Sequence, residues 1–472
     1  MVVILYFMFS TYSTNPLIGS PSAMYELLKE AAIKRPVAGN HGGSYVTMKS
    51  NYALVFGVIQ LCSGSGTVFL DQAYWQRAIA SRPTTAVRAY ILGGLAWFAI
   101  PFGFATTLGL AAVALTDHPS FPTYPNIMSQ AEVTAGLASP FAATALLGKS
   151  GAVALLIVLF MAVTSCASAE LIAVSSVLTF DIYKTYIKPR ATPAQLIRIS
   201  HVMICVFGLT MAIFACIWNA IGIDLGWLFL VMGLLIGGAV FPAAFAITWK
   251  GQTRAGAISG AVTGLVAGLI AWLVTAKQYY GTLTVSTTGM EYPTLAGNLA
   301  AIITGLIVSV AVSLIKPIPF DWEITRSINA PSSTTTTIQD QSSSHELPMV
   351  QDEEKKRRDS DFRDLPTVRD EEKQMREDNA ALEEPSKLKS AFKLAVISSF
   401  LLTFIMDFLI PIPMFLSHYI FSRGFFTAWV IISFIWVFCS AAISIVLPIV
   451  EALGFFRGLV EDIRGGKKGG RR

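Results

Sequence analysis

Long apolar stretches alternate with short polar or charged connections along most of the chain. A helix needs about 20 mostly apolar residues to cross a bilayer. The stretches that reach this length are 52–78, 89–115, 147–180, 200–220, 222–248, 256–276, 293–315, 393–418 and 424–450. The apolar stretch Val2–Ser10 is too short to span, and it lacks the basic start and small-residue cleavage site of a signal peptide. The pattern therefore predicts an all-α polytopic membrane protein with nine spans.

Composition strengthens this prediction. The 472 residues are 53% apolar and only 14% charged, whereas soluble domains carry about 25% charge. Of the 65 charged residues, 23 lie within 350–390, so the rest of the chain is poorer still in charge. Such a chain cannot cover its surface with polar groups, which excludes an ordinary soluble enzyme. The net charge of +5 forms no basic stripe, so a nucleic-acid partner has little support.

The connections predict the orientation. Segment 316–392 is Ser/Thr-rich and then densely charged, which is typical of a disordered cytosolic loop. Lys and Arg concentrate in this loop, in alternate short connections and in the basic tail 451–472, which places the C-terminus in the cytosol. Nine crossings then make 11–51 an extracellular loop. The two spans within 393–450 are separated from the others by the long loop, and we expect them to be peripheral.

Polar residues enter the first full span. Ser63–Gly66 is a run of small residues at membrane depth, which predicts a break in the helix. Irregular backbone is tolerated there only where it lines a cavity, as in secondary transporters. Asp71, Gln72 and Trp75 follow, and a carboxylate, an amide and an aromatic plane suit a small polar solute with N–H donors. The alternative is close helix packing through the small residues.

The third span is rich in hydroxyl groups, at Thr164, Ser165, Ser168, Ser175 and Ser176. Hydroxyls at this spacing suit a hard cation, but they can equally bond back to carbonyls one turn earlier. Glu170 is the acid within this stretch, and it needs a partner or a proton. A structural hydrogen bond and a coupling role both remain open.

No enzyme chemistry is indicated. The cysteines lie singly in apolar stretches, and the histidines His41, His118, His201, His345 and His418 are scattered, with no metal-ligand spacing between any two. A nucleophile elbow is missing. We therefore predict neither a catalytic residue, nor a metal site, nor a cofactor.

Three motifs resemble the urea active transporters of fungi and plants, a branch of the sodium/solute symporter family. They read FLDQAYWQRAIASRP, MAVTSCASAELIAVSSVLTFDIYKTYI and IKPRATPAQLIRISHV. The resemblance covers about residues 1–320 and, more weakly, the last two spans. It implies a leucine-transporter-type inverted-repeat fold, with the second repeat and peripheral helices present. Residues 1–10 would be the remnant of a fifth core helix, and 52–315 would hold seven spans, core helices six to ten plus two more.

The resemblance also implies site residues. The family's cation ligands on the eighth core helix match Ala162, Ser165 and Cys166. A thiol is a poor ligand for sodium, so proton coupling is favoured over sodium coupling. At the position where sugar-transporting relatives have an amide, this chain offers Trp227, which favours a small flat amide as substrate. Asp71, Gln72, Trp75 and Trp227 are thus the predicted substrate contacts.

The predicted function is secondary active transport of urea, with polyamines as further substrates, across the plasma membrane. The resemblance also implies an N-terminally truncated chain, which we expect not to transport alone. Two alternatives remain at this stage, a non-transporting regulator of a full-length transporter and a passive amide channel.

Overall fold

The computed structural model describes residues 1–81, 83–315, 317, 320–322 and 385–453. In chain order its α-helices are α1 (Val2–Phe9), α2 (Pro21–Lys34), α3 (Asn51–Leu70), α4 (Gln72–Ala80), α5 (Pro83–Trp97), α6 (Thr106–Leu115), α7 (Gln130–Thr134), α8 (Ala138–Ser176), α9 (Pro193–Ala220), α10 (Leu225–Ile236), α11 (Val240–Thr248), α12 (Arg254–Tyr280), α13 (Val285–Thr288), α14 (Glu291–Ile315), α15 (Pro385–Thr403), α16 (Pro411–Leu416) and α17 (Arg423–Ala441). The π-helical segments are Ser10–Thr14, Ile100–Ala105, Val177–Ile187, Phe404–Leu409 and Ala442–Val446, and the 3₁₀ turns are His41–Gly43 and Gly237–Ala239.

The all-α prediction is confirmed. In the described part of the chain there is no β-strand, and nine helical stretches are long and apolar enough to cross a membrane. They are Asn51–Leu70, Thr85–Leu115, Ala138–Ile187, Pro193–Ala220, Leu225–Thr248, Arg254–Tyr280, Glu291–Ile315, Ser386–Leu416 and Arg423–Leu453. The apolar helix Val2–Thr14 is shorter, as predicted.

The third span contains a kink that the apolar pattern does not reveal. Within α8, Gly148 adopts φ 59° and ψ −138°, a conformation open to glycine and costly for other residues. The helix before the kink buries Ala142, Ala143 and Leu146, whereas the helix after it is largely exposed between 156 and 169. The kink therefore separates a packed N-terminal piece of α8 from a long, exposed apolar piece.

The larger core joins the two ends of the chain. Phe7 of α1, Leu28 of α2 and Leu108 of α6 are fully buried in one cluster with Phe426 of α17. Val437, in the C-terminal half of α17, packs against Met8 and Ala99 in a neighbouring cluster. The expectation that both last spans are peripheral is therefore wrong for α17. In α15 no described residue is buried.

The second core is built on three helices of the middle region. Val231 and Leu234 of α10 pack with Trp272 of α12. Helix α14 completes this group, because its Ala301 and Gly305 approach the α12 backbone closely. Helix α3 lies against α10, where Phe56 stacks on Phe229 with ring centroids 5.9 Å apart.

The predicted extracellular loop 11–51 contains helix α2. Ser20 caps this helix by accepting a hydrogen bond from the N–H of Ala23 at 3.1 Å. The segment after α2 is tied to the turn between the last two spans, since the N–H of Phe421 donates to the carbonyl of Val46 at 2.9 Å. Only single bridges of β type occur here, such as that between Thr47 and Ile420.

The predicted disordered loop 316–392 and basic tail 451–472 lie mostly outside the described residues. Where 316–392 is described, Phe320 donates its N–H to the carbonyl of Lys250 at 3.1 Å. Helix α15 begins at Pro385, so the end of the predicted loop is helical.

Candidate functional site

The first span is interrupted, but not where the small residues predict. The backbone is helical throughout Ser63–Gly66, so the break expected there is wrong. The hydroxyls bond back inside the helix, with Ser65 donating to the carbonyl of Leu61 at 2.8 Å and Thr67 to that of Gly64 at 3.0 Å. Gly66 faces Ile236 of α10 closely, which matches the packing alternative.

The interruption lies at Asp71. This residue is extended, with φ −77° and ψ 113°, between the end of α3 and the start of α4. Its Oδ1 accepts a hydrogen bond from the N–H of Ala73 at 2.7 Å, so Asp71 is the N-cap of α4. The indole N–H of Trp75 reaches back across the break to the carbonyl of Phe69, at 2.9 Å. Gln72 follows Asp71 and is exposed.

Helix α8 faces this interruption. The amide of Gln76 donates to the carbonyl of Ala173 at 3.4 Å, which joins α4 to α8. One turn away on α8, Glu170 lies within electrostatic reach of Asp71 and Arg77. We call Asp71, Arg77 and Glu170 the charged junction. Two of these charges lie within electrostatic reach of the third beside a helix break, although no salt bridge joins them in the described residues.

Sequence reasoning found Asp71 but not this junction. Glu170 follows Asp71 by 99 positions, and no local spacing signals that the two helices meet. The available signal was that an acid inside a span needs a partner. The structure gives Glu170 two charged neighbours, of opposite sign.

The predicted cation residues lie next to the junction. Ala162, Cys166 and Glu170 follow one another at intervals of four, so they share one face of α8. Ala162 is two turns from Glu170, about 12 Å along the axis. Ala162, Ser165 and Cys166 are all exposed on α8. The carbonyl of Ser165 already accepts a hydrogen bond from the Ser168 hydroxyl at 3.0 Å.

Trp227 is not brought to the junction. It lies at the start of α10, where its indole N–H donates to the Thr288 hydroxyl at 3.0 Å and its ring packs edge-on against Trp272. Two residues later on α10, Phe229 stacks on Phe56 of α3. Along the axis of α3, Asp71 lies about 22 Å beyond Phe56. The predicted substrate contacts therefore form two groups, Asp71 with Gln72 and Trp75, and Trp227 alone.

The charged junction has no metal-site geometry. In the ranges that the structure describes, no three His, Cys, Asp or Glu side chains lie close enough together to hold a metal ion. The polar chemistry available is a carboxylate pair, a guanidinium, amides and an indole plane. These groups can bind a polar solute and exchange protons.

In the described residues, nine apolar spans and a charged residue at the end of the first define a polytopic α-helical membrane protein with polar groups beside its apolar region. The pattern that describes the sodium:solute symporter family matches residues 8–264, more than half of the chain. The chain belongs to this family, whose members are ion-coupled transporters.

Three relatives are similar to this chain over most of its length. It is 38% identical to the urea active transporter of Saccharomyces cerevisiae, over 98% of this chain and 67% of the relative. It is 39% identical to the probable urea active transporter 1 of Schizosaccharomyces pombe, over 96% of the chain and 62% of the relative. Identity to the urea-proton symporter DUR3 of Oryza sativa subsp. japonica is 43%, over 69% of the chain and 46% of the relative. The chain thus spans about half to two thirds of these relatives. No solved structure matches.

Proposed function

We propose that this chain takes part in secondary active transport of urea across the plasma membrane, by alternating access in a leucine-transporter-type inverted-repeat fold. The observation that carries the proposal is the interruption of the first span at Asp71, where Gln76 joins α4 to α8 through the carbonyl of Ala173. Membership of a symporter family and the names of three relatives support it. A broken helix with polar neighbours is the arrangement in which secondary transporters bind solute.

The solute contacts in this proposal are Asp71, Gln72 and Trp75. Urea is flat and carries N–H donors around one carbonyl. One oxygen of Asp71 caps α4, which leaves its second oxygen for a solute N–H. The exposed amide of Gln72 can serve the carbonyl, and the bond from Trp75 to Phe69 fixes the indole plane beside them. Polyamines are secondary candidates, since two carboxylates attract cationic amines. Trp227 is not among these contacts, because its helix α10 meets α3 at Phe56, far from Asp71.

The coupling ion in this proposal is the proton. Cys166 supplies a soft thiol where a sodium ion would need oxygen. In this proposal Glu170 carries the proton, because an acid within a span needs a partner or a proton and its charge lies within electrostatic reach of those of Asp71 and Arg77. The relative from rice is named a urea-proton symporter. Ala162 and Ser165 would contact the cation only if sodium were used.

The orientation in this proposal has the C-terminus in the cytosol. The support is the distribution of Lys and Arg, which are concentrated in 316–392, in the tail and in the short connections on the same side. The segments 11–51, 116–137 and 417–422 then face outward.

Binding of labelled urea to the purified chain, with Asp71→Asn as the variant, tests the solute site. Asn keeps the cap but removes the charge. Losing a charge-assisted hydrogen bond weakens binding about 10- to 100-fold. Asp224→Asn is the matched control, because Asp224 caps α10 in the same way by accepting from the N–H of Trp227 at 2.8 Å. Equal affinity in both variants would remove Asp71 from the site.

Uptake of labelled urea by cells that produce the chain distinguishes three hypotheses: a coupled transporter, a passive channel and a regulator. Accumulation of urea above the outside concentration, abolished by collapsing the proton gradient, supports proton-coupled transport. Uptake that survives this collapse and stops at equal concentrations indicates a channel. No uptake, together with altered uptake by a co-produced relative, indicates a regulator.

A further inference from the structure

We infer that His41 and His418 form a binding site for a transition-metal ion of the zinc class, between the segment after α2 and the turn joining the last two spans. The two imidazole rings are in tilted contact, with centroids 5.2 Å apart and planes inclined by 46°. They are 377 positions apart in the chain, so sequence spacing could not reveal the pair. Neither residue belongs to the charged junction.

The ring separation fits one shared metal ion. Zinc binds imidazole nitrogen at about 2.0–2.1 Å in tetrahedral geometry, which places the centroids of two such rings about 5 Å apart. Both histidines are exposed, so an ion has access from solution. With two protein ligands the remaining positions belong to water, and binding is weaker than in a closed site with four protein ligands.

The backbone at both histidines is fixed by hydrogen bonds without a metal. His41 donates its N–H to the carbonyl of Lys49 at 2.9 Å and accepts from the N–H of Ser44 at 3.2 Å. His418 donates its N–H to the carbonyl of Phe415 at 3.3 Å, and it has a positive φ of 55°. A non-glycine residue with positive φ is uncommon and carries strain, which the surroundings must maintain.

The two segments are also tied to each other on either side of the histidines. The Thr47 hydroxyl donates to the carbonyl of Tyr419 at 2.8 Å. The N–H of Phe421 donates to Val46 at 2.9 Å, and Gly42 lies against Ile420. A metal ion would therefore add a coordination bond across an existing contact rather than order two loose loops. Such preorganisation lowers the cost of binding.

The metal class follows from the ligands. Imidazole suits zinc, copper and nickel, whereas magnesium and calcium prefer oxygen. The nearby cation, Lys49, is turned to the ring of Phe415, with its Nζ 3.7 Å from the centroid. Its charge is thus engaged at the same turn, and it supplies no metal ligand.

The test is Zn²⁺ binding by the purified full chain, measured by equilibrium dialysis, together with the midpoint of thermal unfolding. The variants are His41→Gln and His418→Asn, since Asn tolerates the positive φ. The control is His118→Gln, a histidine on a neighbouring connection that bonds to Ser120. Each variant should lose one equivalent of Zn²⁺, or bind it at least about tenfold more weakly. The control should keep it, and Mg²⁺ should not compete.

The unfolding midpoint guards against misfolded variants. Zn²⁺ should raise the midpoint of the parent and of the control, but not that of either variant, while the metal-free midpoints stay alike. If Zn²⁺ does not raise the unfolding midpoint of the parent chain, the inference is overturned. Zn²⁺ binding that is the same in both variants as in the parent would also overturn it.

Discussion

Asp71 combines two properties at the residue scale. Its side chain caps α4, and its charge lies with those of Arg77 and Glu170. Asn, Ser and Asp cap the N-terminus of a helix about equally well. In addition to capping α4, Asp71 lies within electrostatic reach of Glu170. A substitution that keeps the cap and removes the charge therefore isolates the electrostatic contribution.

A second carboxylate is held by an ion pair outside the spans. Asp117 contacts Arg35 at 2.6 Å and Lys34 at 3.3 Å, which ties the end of α2 to the connection after α6. The hydrogen bond from Arg35 is the main cause that lowers the pKa of Asp117 below its usual value of 3.8. Because the folded-state pKa is lowered, the stabilisation is present above pH 3.8 and is lost as the pH falls through the folded value.

We predict that Asp117→Asn lowers stability modestly at neutral pH and by less in acid. Both partners are partly exposed, so the pair contributes at most about 1 kcal/mol. Thermal unfolding at pH 7 and at pH 3, with Arg35→Gln and the double variant completing a cycle, measures this contribution. A difference between parent and variant that grows as the pH falls would contradict the assignment. High salt should reduce the difference.

At the scale of elements, α12 and α14 approach each other at backbone distance. Gly256, Gly260, Gly264 and Gly268 recur every fourth residue and line the buried face of α12. A Cβ at Gly264 would lie 2.6 Å from the Cα of Gly238 and 2.7 Å from the carbonyl oxygen of Ala301. Backbone atoms cannot turn aside as side chains can. This pair of helices is therefore a rigid part of the second core.

We predict that Gly264→Ala destabilises the protein by about 1–3 kcal/mol through overpacking. Helix propensity alone would favour Ala by about 1 kcal/mol. The sign of the measured change in the free energy of unfolding therefore shows which effect is larger. Gly57→Ala is the control, since a Cβ there meets nothing within 4 Å. The control should be neutral or stabilising in thermal unfolding. Equal effects at the two positions would mean that α12 and α14 are less closely packed than described.

At the scale of the whole molecule, contacts between connections agree with the count of spans. Two spans separate Arg35 from Asp117, and eight separate Val46 from Phe421. An even number of crossings returns the chain to the same side of a membrane. The hydrogen bonds and ion pairs between these connections are thus consistent with the spans found in the described residues.

We predict that a membrane-impermeant maleimide labels Ser120→Cys and Thr282→Cys in intact cells but not Arg190→Cys, in a chain whose native cysteines are replaced. All three positions are exposed. An even number of spans separates the first two from segment 11–51, and an odd number separates the third. Permeabilised cells should label all three. Labelling of Arg190→Cys alone in intact cells would invert the proposed orientation.

The sequence by itself determined the class and the spans, because a bilayer demands long apolar helices and the demand is local. All nine spans could be read from hydropathy, and Asp71, an acid beside a span, was visible as a residue that needs a reason. The apolar pattern did not reveal the boundary at Leu70 or the kink at Gly148, because hydropathy does not register an Asp N-cap or a glycine at positive φ.

Only the tertiary structure decided which polar residues meet. Ser63–Gly66 remains helical because its hydroxyls are satisfied inside the helix and Gly66 packs on α10. Gln76 of α4 contacts the carbonyl of Ala173 on α8, Trp227 bonds to Thr288 instead, and His41 contacts His418. The physical reason is that helix formation depends on neighbours a few residues apart, whereas a site depends on which helix faces pack together across the whole chain.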